Sequence, residues 1–445
     1  MEFQAGLVCV LDPKRAWPHD EGVEELTLIT AGALGVPLTL NLLSRVVLWW
    51  RYAPTPVDRD EVLPSITVLI PAFNEGAGVQ RAIESTLASD YPTHLVTLTV
   101  IDDGSTDDTW SHIATSVSLD SRARAIRLPT NAGKRHALYR GMSEATSDVV
   151  VTVDSDSRVE PDALRQLVAP FTNPDVGAVA GRILVDNREE NLLTRMLAAR
   201  YILGFDLVRA YQSELDTVWC CPGALQAYRL ETIEPHLETW RDQRFLGAAC
   251  TNGDDHALTN QVLSLGQSVR YQATAVAHTR VPATYVPLVR MFTRWGRSAT
   301  REGLRALAFA PGRARRLGPV HGALMALDAL CHPLVIALKL LALPMTALAL
   351  VLKPDLLLSG AAFTLAAGAL YALIYLRSDR SHRALYALAW AGYATLALPW
   401  VQPWATLTVR SNQWLTRAKH TKSWLTPYAE SHRTRSPLLR GGAAR

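Results

Sequence analysis

The 445-residue chain has little cysteine: Cys9, Cys220, Cys221, Cys250 and Cys331 are all there is, with no C-x-x-C pair and no framework spacing. That argues against a zinc site and a secreted disulfide scaffold, and it fits a reduced cytosolic compartment. A large charge of one sign is missing too, because 45 Lys and Arg against 41 Asp and Glu leave a formal net charge of +4. Such a sum says little by itself, since the placement of charge matters more, and no nucleic-acid partner is expected. No internal repeat is visible. No small-residue cleavage site follows the first hydrophobic stretch, which therefore reads as an anchor and not as a cleaved signal peptide.

Long hydrophobic runs are present. A chain of this length exceeds one soluble core and suggests two or three units. Aliphatic residues gather at Leu26 to Leu43, Pro333 to Leu352, Leu356 to Leu376 and Ala384 to Val409. All but the second, which carries Lys339, are uncharged over about 18 residues or more, enough to cross a hydrocarbon core of about 30 Å. The first follows Glu21, Glu24 and Glu25 and precedes Arg45 and Arg51. Cations gather again at Arg377, Arg380 and Arg383, then at Arg410, Arg417, Lys419 and Lys422. By the positive-inside rule those loops, and the middle of the chain after Arg45, face the cytoplasm. Pro399 and Pro403 interrupt the last run, and a full crossing there would carry the basic tail outside. A re-entrant or interfacial hairpin is therefore expected, with three true spans, an external N-terminus and a cytoplasmic C-terminus.

From about Ser65 to Pro282, strand and helix patterns alternate. Ile66-Thr67-Val68-Leu69-Ile70 is a buried-strand run ended by Pro71, and Val96 to Ile101, Ala125 to Leu128 and Val149 to Val153 repeat the signal. Helix-like stretches follow at Val79 to Leu87, Asp107 to Val117, Lys134 to Ala145 and His256 to Leu265. The alternation predicts an α/β fold with a mostly parallel sheet covered on both faces. Val286 to Leu317 differs, mixing Arg290, Arg294, Arg297, Arg301 and Arg305 with Leu288, Val289, Phe292, Trp295 and Leu304. That is the pattern of an amphipathic helix on the inner membrane face.

Acidic clusters punctuate this middle. Asp102-Asp103-Gly104-Ser105 and Asp154-Ser155-Asp156 each end a Val/Ile-rich run, where an open α/β sheet binds its ligand. Gly253-Asp254-Asp255 opens a helix, and Arg294-Trp295 lies on the amphipathic one. Each has an ordinary reading: a solvated loop, a pair of helix caps, a headgroup anchor. Asn131-Ala132-Gly133-Lys134-Arg135 reads either as a solvated basic turn or as amides plus Lys134 attracting an anion. Two acids ending a buried strand are less ordinary. Hard oxygen ligands there suit Mg²⁺ or Mn²⁺, with diphosphate oxygens and water in the remaining positions.

Taken in this order, the clusters resemble those of the processive family 2 glycosyltransferases, in the hyaluronan synthase and chitin oligosaccharide synthase branch. The likeness runs from Ile66 to about Arg301. It is most specific at Phe245-Leu246-Gly247, at Gly253 to Asn260, and at Arg294-Trp295-Gly296-Arg297-Ser298 with Arg301-Glu302. A weaker echo stands at Trp414 to Arg417. The resemblance implies a GT-A fold, UDP-sugar donors, a divalent cation, inversion at the anomeric carbon and export of the growing polysaccharide through the same chain. Asp255 is then the catalytic base, because a carboxylate within reach of the acceptor hydroxyl takes its proton. Nucleotide-sugar contacts fall to Ala72, Asn74, Glu75, Asp102, Asp103, Lys134, Arg135, Asp154, Arg294, Trp414 and Arg417, and the metal to Asp156. Acceptor contacts fall to Cys221, Gly223, Asp254 and Trp295, the cysteines being packed thiols and not nucleophiles. Met291, His256 and Leu415 depart from the family pattern, which has glutamine, frequently arginine, and glycine there.

The expected layout is an external segment 1–25, a transmembrane helix 26–50, a GT-A domain 60–282, interfacial amphipathic helices 283–318, a C-terminal membrane region 319–409 and a basic cytoplasmic tail 410–445. The partners are then UDP-sugars, the polysaccharide acceptor and membrane lipids, and the place is the plasma membrane with a cytoplasmic catalytic domain. The product stays open between hyaluronan, from UDP-N-acetylglucosamine and UDP-glucuronate, and a chitin oligosaccharide, from the former alone. A lipid-linked sugar transferase would lack the Arg294-Trp295 signature, and a transporter or lipid-binding protein would leave the acidic clusters merely structural. At about 100° per residue, Asp328, His332 and Lys339 share one helix face. Either they border the export path, since ionisable groups in a membrane usually face protein or water, or Asp328 and His332 lie in the headgroup layer and Pro333 begins the span.

Overall fold

The computed structural model describes residues 21–57, 62–352 and 356–411. Cys9, Trp414, Leu415 and Arg417 lie outside the described residues. Contacts divide the chain into residues 1–44 and 45–445. In the first unit the described residues belong to one helix, Glu21–Arg51, which contains the expected segment 26–50.

In the second unit an eight-stranded sheet carries β1 (Ile66–Ala72), β2 (Val96–Asp102), β3 (Ala123–Arg127), β4 (Val149–Thr152), β5 (Arg158–Val159), β6 (Val176–Val185), β7 (Gln226–Arg229) and β10 (Ser268–Thr279). A separate hairpin pairs β8 (Arg244–Phe245) with β9 (Ala248–Ala249). The order is β3-β2-β1-β4-β7-β6-β10-β5. β1, β2, β3 and β4 run parallel, as do β6 and β10, while β7 runs against both β4 and β6. The mostly parallel sheet expected from the alternation is therefore present. Val68, Leu69, Ile70, Leu98, Val100, Ile101, Val150 and Val151 are all buried, as continuous apolar runs are when helices cover both faces.

β1 does not end at Pro71 as expected but continues to Ala72. The Leu69 carbonyl accepts from Val153 N, so β1 residues of that parity face β4. The ladder with β4 stops at the Leu69–Thr152 pair, and proline's missing N–H costs no bond there.

Helices Tyr285–Arg316, Gly318–Leu352 and Leu356–Ser378 follow, then the pair Ala384–Ala397 and Val401–Leu407. Gly318–Ala342 and Leu358–Ser378 are long and apolar enough to cross a membrane. The first of these runs through Pro333 without a break, so its apolar stretch begins ahead of Pro333, where one of the two readings began the span. It is able to start earlier because Asp328 is not bare: its carboxylate accepts from Arg45 at 2.7 Å, from the Tyr211 hydroxyl at 2.9 Å and from the Trp219 indole at 2.9 Å. His332 likewise meets protein, 3.3 Å from the Ala299 carbonyl.

The last pair bends by 53°. At its start Arg383 pairs with Glu189 at 3.3 Å, and Arg195 donates to the Tyr386 hydroxyl, also at 3.3 Å. At its end Arg297 donates to Thr408 at 3.0 Å, and Thr300 bonds Thr406 at 3.1 Å. Both ends thus touch the sheet domain or the amphipathic helix packed on it. The bent pair is either a broken span or a re-entrant loop, and the expected re-entrant path keeps both of its ends on that side. A reporter fused to the C-terminus of the full chain is accordingly expected to be active on the same side as the sheet domain, and activity confined to the opposite side would contradict this path.

Candidate active site

Parallel strands place their carboxyl ends along one edge, so the segments after β1, β2 and β4 converge there. β7 opposes β4, with Gln226 paired to Thr152, so the segment entering β7 arrives at the same edge. This brings Cys221 and Gly223 to Asp154. A Cβ at Gly223 would stand 2.6 Å from Lys134 Nζ and 3.5 Å from either Asp154 oxygen, so a side chain there would have to push the ammonium aside. Helix Asp254–Ser264 is tied in as well: Thr259 Oγ1 accepts from Cys221 N at 3.1 Å and donates to the Asp255 carbonyl at 2.7 Å.

Lys134 is the hub of the resulting charge cluster. Its ammonium donates to Asp154 Oδ1 at 2.5 Å and lies 3.6 Å from Asp254 Oδ2. Burial disfavours the ammonium, but Asp154, Asp254 and Asp255 outweigh it and raise its pKa. Burial likewise opposes ionisation of Asp254, yet Lys134 and Arg135 hold it below the usual carboxylate value. Asp255 goes the other way. Burial first, then the neighbouring Asp254 charge, pushes it up to about 6. Two adjacent carboxyls with separated affinities make one permanent anion and one group able to take a proton near neutrality.

Beneath this cluster lies a buried network that sequence reasoning missed in part. Arg135, expected to touch the nucleotide, is only 2% exposed and donates to the Trp240 carbonyl at 2.9 Å, Gln243 Oε1 at 2.7 Å and the Gly253 carbonyl at 3.4 Å. Arg301 donates to the Asn252 carbonyl at 2.5 Å. Two guanidinium groups thus grip consecutive carbonyls immediately before Asp254. Glu302, fully buried, balances them by accepting from Gln243 at 2.7 Å, Arg301 at 3.2 Å and Asn260 at 3.2 Å. A charged residue among the apolar positions of an amphipathic helix was the available signal for Glu302.

Other expected contacts are redistributed. Asp103 is turned into the protein, accepting from Asn131 Nδ2 at 3.0 Å, Ala132 N at 2.9 Å and Gly133 N at 2.8 Å. The anion at those amides is thus the protein's own, and burial raises its pKa above the usual value. Asp102 is buried too; it accepts from Ser105 N at 3.0 Å and lies 3.3 Å from Arg127 Nε. Gly104, with φ of 71°, admits the chain's own Thr130–Asn131 backbone, which a Cβ would strike. The approach that glycine permits is therefore an internal one. Ala72 is buried, and its carbonyl accepts from Asp103 N at 2.8 Å. Asn74 adopts φ of 53°, held by Ser105 Oγ to its amide at 3.0 Å and by Thr106 N to its Oδ1 at 2.9 Å. Glu75 accepts from Ser155 Oγ at 2.7 Å, fastening the first strand's exit to the Asp154–Asp156 turn.

Asp156 stands at that turn with Thr279 Oγ1 at 3.4 Å. Arg294 faces the acids closely enough to favour ionised Asp254. Trp295, one residue on, sits among Phe292 at 5.4 Å and Tyr201 at 6.3 Å, with the Arg200 guanidinium 5.5 Å from its ring. Met291 is buried in the apolar core, so the position where the family has glutamine is filled by packing. Cys221 is a buried thiol, pushed up to about 12 chiefly by burial, as expected of a packed cysteine and not a nucleophile. Among the described residues the His256 ring forms no ion pair, and burial lowers its pKa well below the usual value.

Residues 67–236 match the family model Glycosyl transferase family 2. The chain is 34% identical over 281 residues to a hyaluronan synthase of Streptococcus pyogenes, a match spanning 62% of this chain and 66% of that protein. It is also 34% identical over 252 residues to an N-acetylglucosaminyltransferase of Azorhizobium caulinodans, spanning 56% of this chain and 63% of the relative. These matches span just under two thirds of the curated relatives. Among solved structures, the mannosyltransferase PcManGT from Pyrobaculum calidifontis, solved with GDP-Man and Mn²⁺, superposes with a TM-score of 0.57 at 21% identity, covering 83% of this chain and 97% of that one. The likeness is one of fold, and it makes the sheet domain GT-A.

Removing Glu302 leaves the buried Arg301 guanidinium without its carboxylate and Gln243, which also holds Arg135, without an acceptor. Glu302→Ala is expected to destabilise the full chain by about 3 kcal/mol, read as a lower unfolding midpoint in detergent, with Glu302→Gln intermediate. An unchanged midpoint in both variants would contradict the network.

Proposed function

Because residues 67–236 match the glycosyl transferase family 2 domain, we propose that the chain is a membrane-embedded, inverting β-glycosyltransferase that polymerises sugars from UDP-sugar donors and passes the product outward. The observation that carries this reading is the raised carboxyl of Asp255 beside the Lys134-linked acids, at the strand edge where the GT-A fold takes its nucleotide. In the proposed reaction an acceptor hydroxyl oxygen bonds the donor's anomeric carbon, the bond from that carbon to the diphosphate breaks, and UDP leaves. Asp255 accepts the hydroxyl proton. Asp254 stays ionised and holds Lys134 in the crevice. Lys134 and Arg294 are aimed at the diphosphate, where a cation offsets the charge that develops on the leaving group.

The donor set after β4 fits a divalent cation: Asp154 and Asp156 are hard ligands. Among the described residues no group of three or more His, Cys, Asp or Glu side chains is arranged to hold a metal ion by itself, so diphosphate oxygens and water would have to complete the site. Asp156 would hold Mg²⁺ or Mn²⁺, and the ion would supply charge neutralisation at the diphosphate. Asn74, Glu75 and Asp154 line the nucleotide side; Cys221, Gly223 and Trp295 line the acceptor side. Asp102, Asp103 and Arg135 act through the loops they hold. The face bearing Asp328, His332 and Lys339 borders the export path, and the plasma membrane is the proposed location.

We favour hyaluronan as the product, with chitin oligosaccharide as the second reading, since relatives of both kinds match at 34% identity. The purified chain with Mg²⁺ or Mn²⁺ should release UDP steadily only when UDP-N-acetylglucosamine and UDP-glucuronate are both present, because an alternating polymer stalls without its next unit. Sustained release with UDP-N-acetylglucosamine alone, yielding a chitinase-sensitive product, selects the second reading. Release with no UDP-sugar overturns the proposal. Asp255→Asn is expected to lower turnover at least a hundredfold while UDP affinity stays within a few-fold. Asp156→Asn should instead weaken UDP binding in calorimetry with Mn²⁺, and an unchanged affinity would remove Asp156 as the ligand.

A further inference from the structure

Trp219 begins the segment that enters β7, two residues before Cys221, and no role in the site accounts for it. Val218 before it is fully buried, whereas Trp219 and Cys220 are partly exposed, and Trp219 packs against the apolar core. The ring is not free to turn. Its indole N–H donates to Asp328 Oδ2 at 2.9 Å, and its centroid lies 6.2 Å from that of Phe309 on the amphipathic helix.

Asp328 is in turn over-determined. Its side chain is 4% exposed, and its other oxygen accepts from Arg45 at 2.7 Å and 3.2 Å and from Tyr211 at 2.9 Å. A carboxylate inside an apolar helix persists only when its charge and lone pairs are satisfied, and here one of the satisfying donors is a partly buried aromatic. The opposite end of the segment is fixed to the proposed base: Cys221 N bonds Thr259 Oγ1, which bonds the Asp255 carbonyl. Trp219 therefore sits at a set position between the reacting centre and the membrane helix carrying Asp328. A pyranose presents C–H groups on one face, and an immobilised indole face meets them with little entropy left to lose.

We propose that Trp219 is a sugar-binding platform for the growing chain, on the membrane side of the acceptor turn, and that Asp328 is the positioning residue that holds its ring. The inference rests on the polymerase reading but is measured apart from turnover. Full-length protein in detergent is titrated calorimetrically with a hyaluronan octasaccharide and, separately, with chitohexaose, no donor being present. Wild type should bind at least one of them. Trp219→Ala should weaken that binding about tenfold, and Trp219→Phe, which keeps a ring, should stay within about threefold of wild type. Asp328→Asn, which keeps the indole but weakens its anchor, should lie between wild type and Trp219→Phe, which loses the anchoring N–H altogether. In synthesis assays the mean product length should follow the same order.

A purely architectural Trp219 would lower the unfolding midpoint without moving oligosaccharide affinity, and affinities of the alanine variant equal to wild type overturn the proposal. So does a wild-type chain that binds neither oligosaccharide. Trp219-dependent binding in a chain that releases no UDP from any donor contradicts the proposed function and supports the platform.

Discussion

Three carboxylates crowd one crevice, and the partly buried Lys134 ammonium is what lets them stay there. Without a cation, Asp154, Asp254 and Asp255 would repel one another in a medium that screens poorly. With it, two of them are bound to a common positive charge, and the third is left with a raised proton affinity. The arrangement holds only if the loops that deliver these residues are rigid. That explains why so much of the surrounding polarity faces inward: Asp103 pins the turn ahead of Lys134, Glu75 pins the turn after β4, and Arg135 with Arg301 pins the turn before Asp254.

The amphipathic helix Tyr285–Arg316 joins this chemistry to the membrane region. Arg301 and Glu302 are buried under the Asp254 loop, while Arg297 and Thr300 bind the bent pair at residues 401–408. At the far end Arg313 donates to the Thr217 hydroxyl and to the Gln267 carbonyl of the sheet domain. A helix read from its arginines as a membrane-surface element therefore spends several of them inward. The same residues that look like headgroup ligands in one dimension are structural donors in three.

Much of the fold was legible because it depends on local pattern. The runs at Ile66, Val96 and Val149 are buried parallel strands, and Val79–Leu87 is a helix with the boundaries its spacing implied. Positions set by partners distant in sequence were not legible. Pro71 continues a strand because β4 has already ended, and Pro333 lies inside a helix whose acid is neutralised by Arg45, Tyr211 and Trp219. Within the site, Asp154, Gly223, Asp254 and Asp255 came together as their motifs implied. Asp103 and Arg135 did not, because a motif marks a residue as necessary without saying whether it serves the ligand or the loop.

The central claim is that Asp255 is a base made competent by burial and by the Asp254 charge. The pH dependence of kcat/KM, which reports ionisations of the free enzyme, tests it most directly. A carboxyl raised to about 6 must lose its proton before it acts as a base, so kcat/KM should be level above that pH and fall about tenfold per unit below it. The inflection should move down when Asp254 is replaced by asparagine, because one source of the upward shift is gone. A kcat/KM that stays level down to pH 4.5 in wild type, or an inflection near 6 that Asp254→Asn leaves in place, would contradict the account.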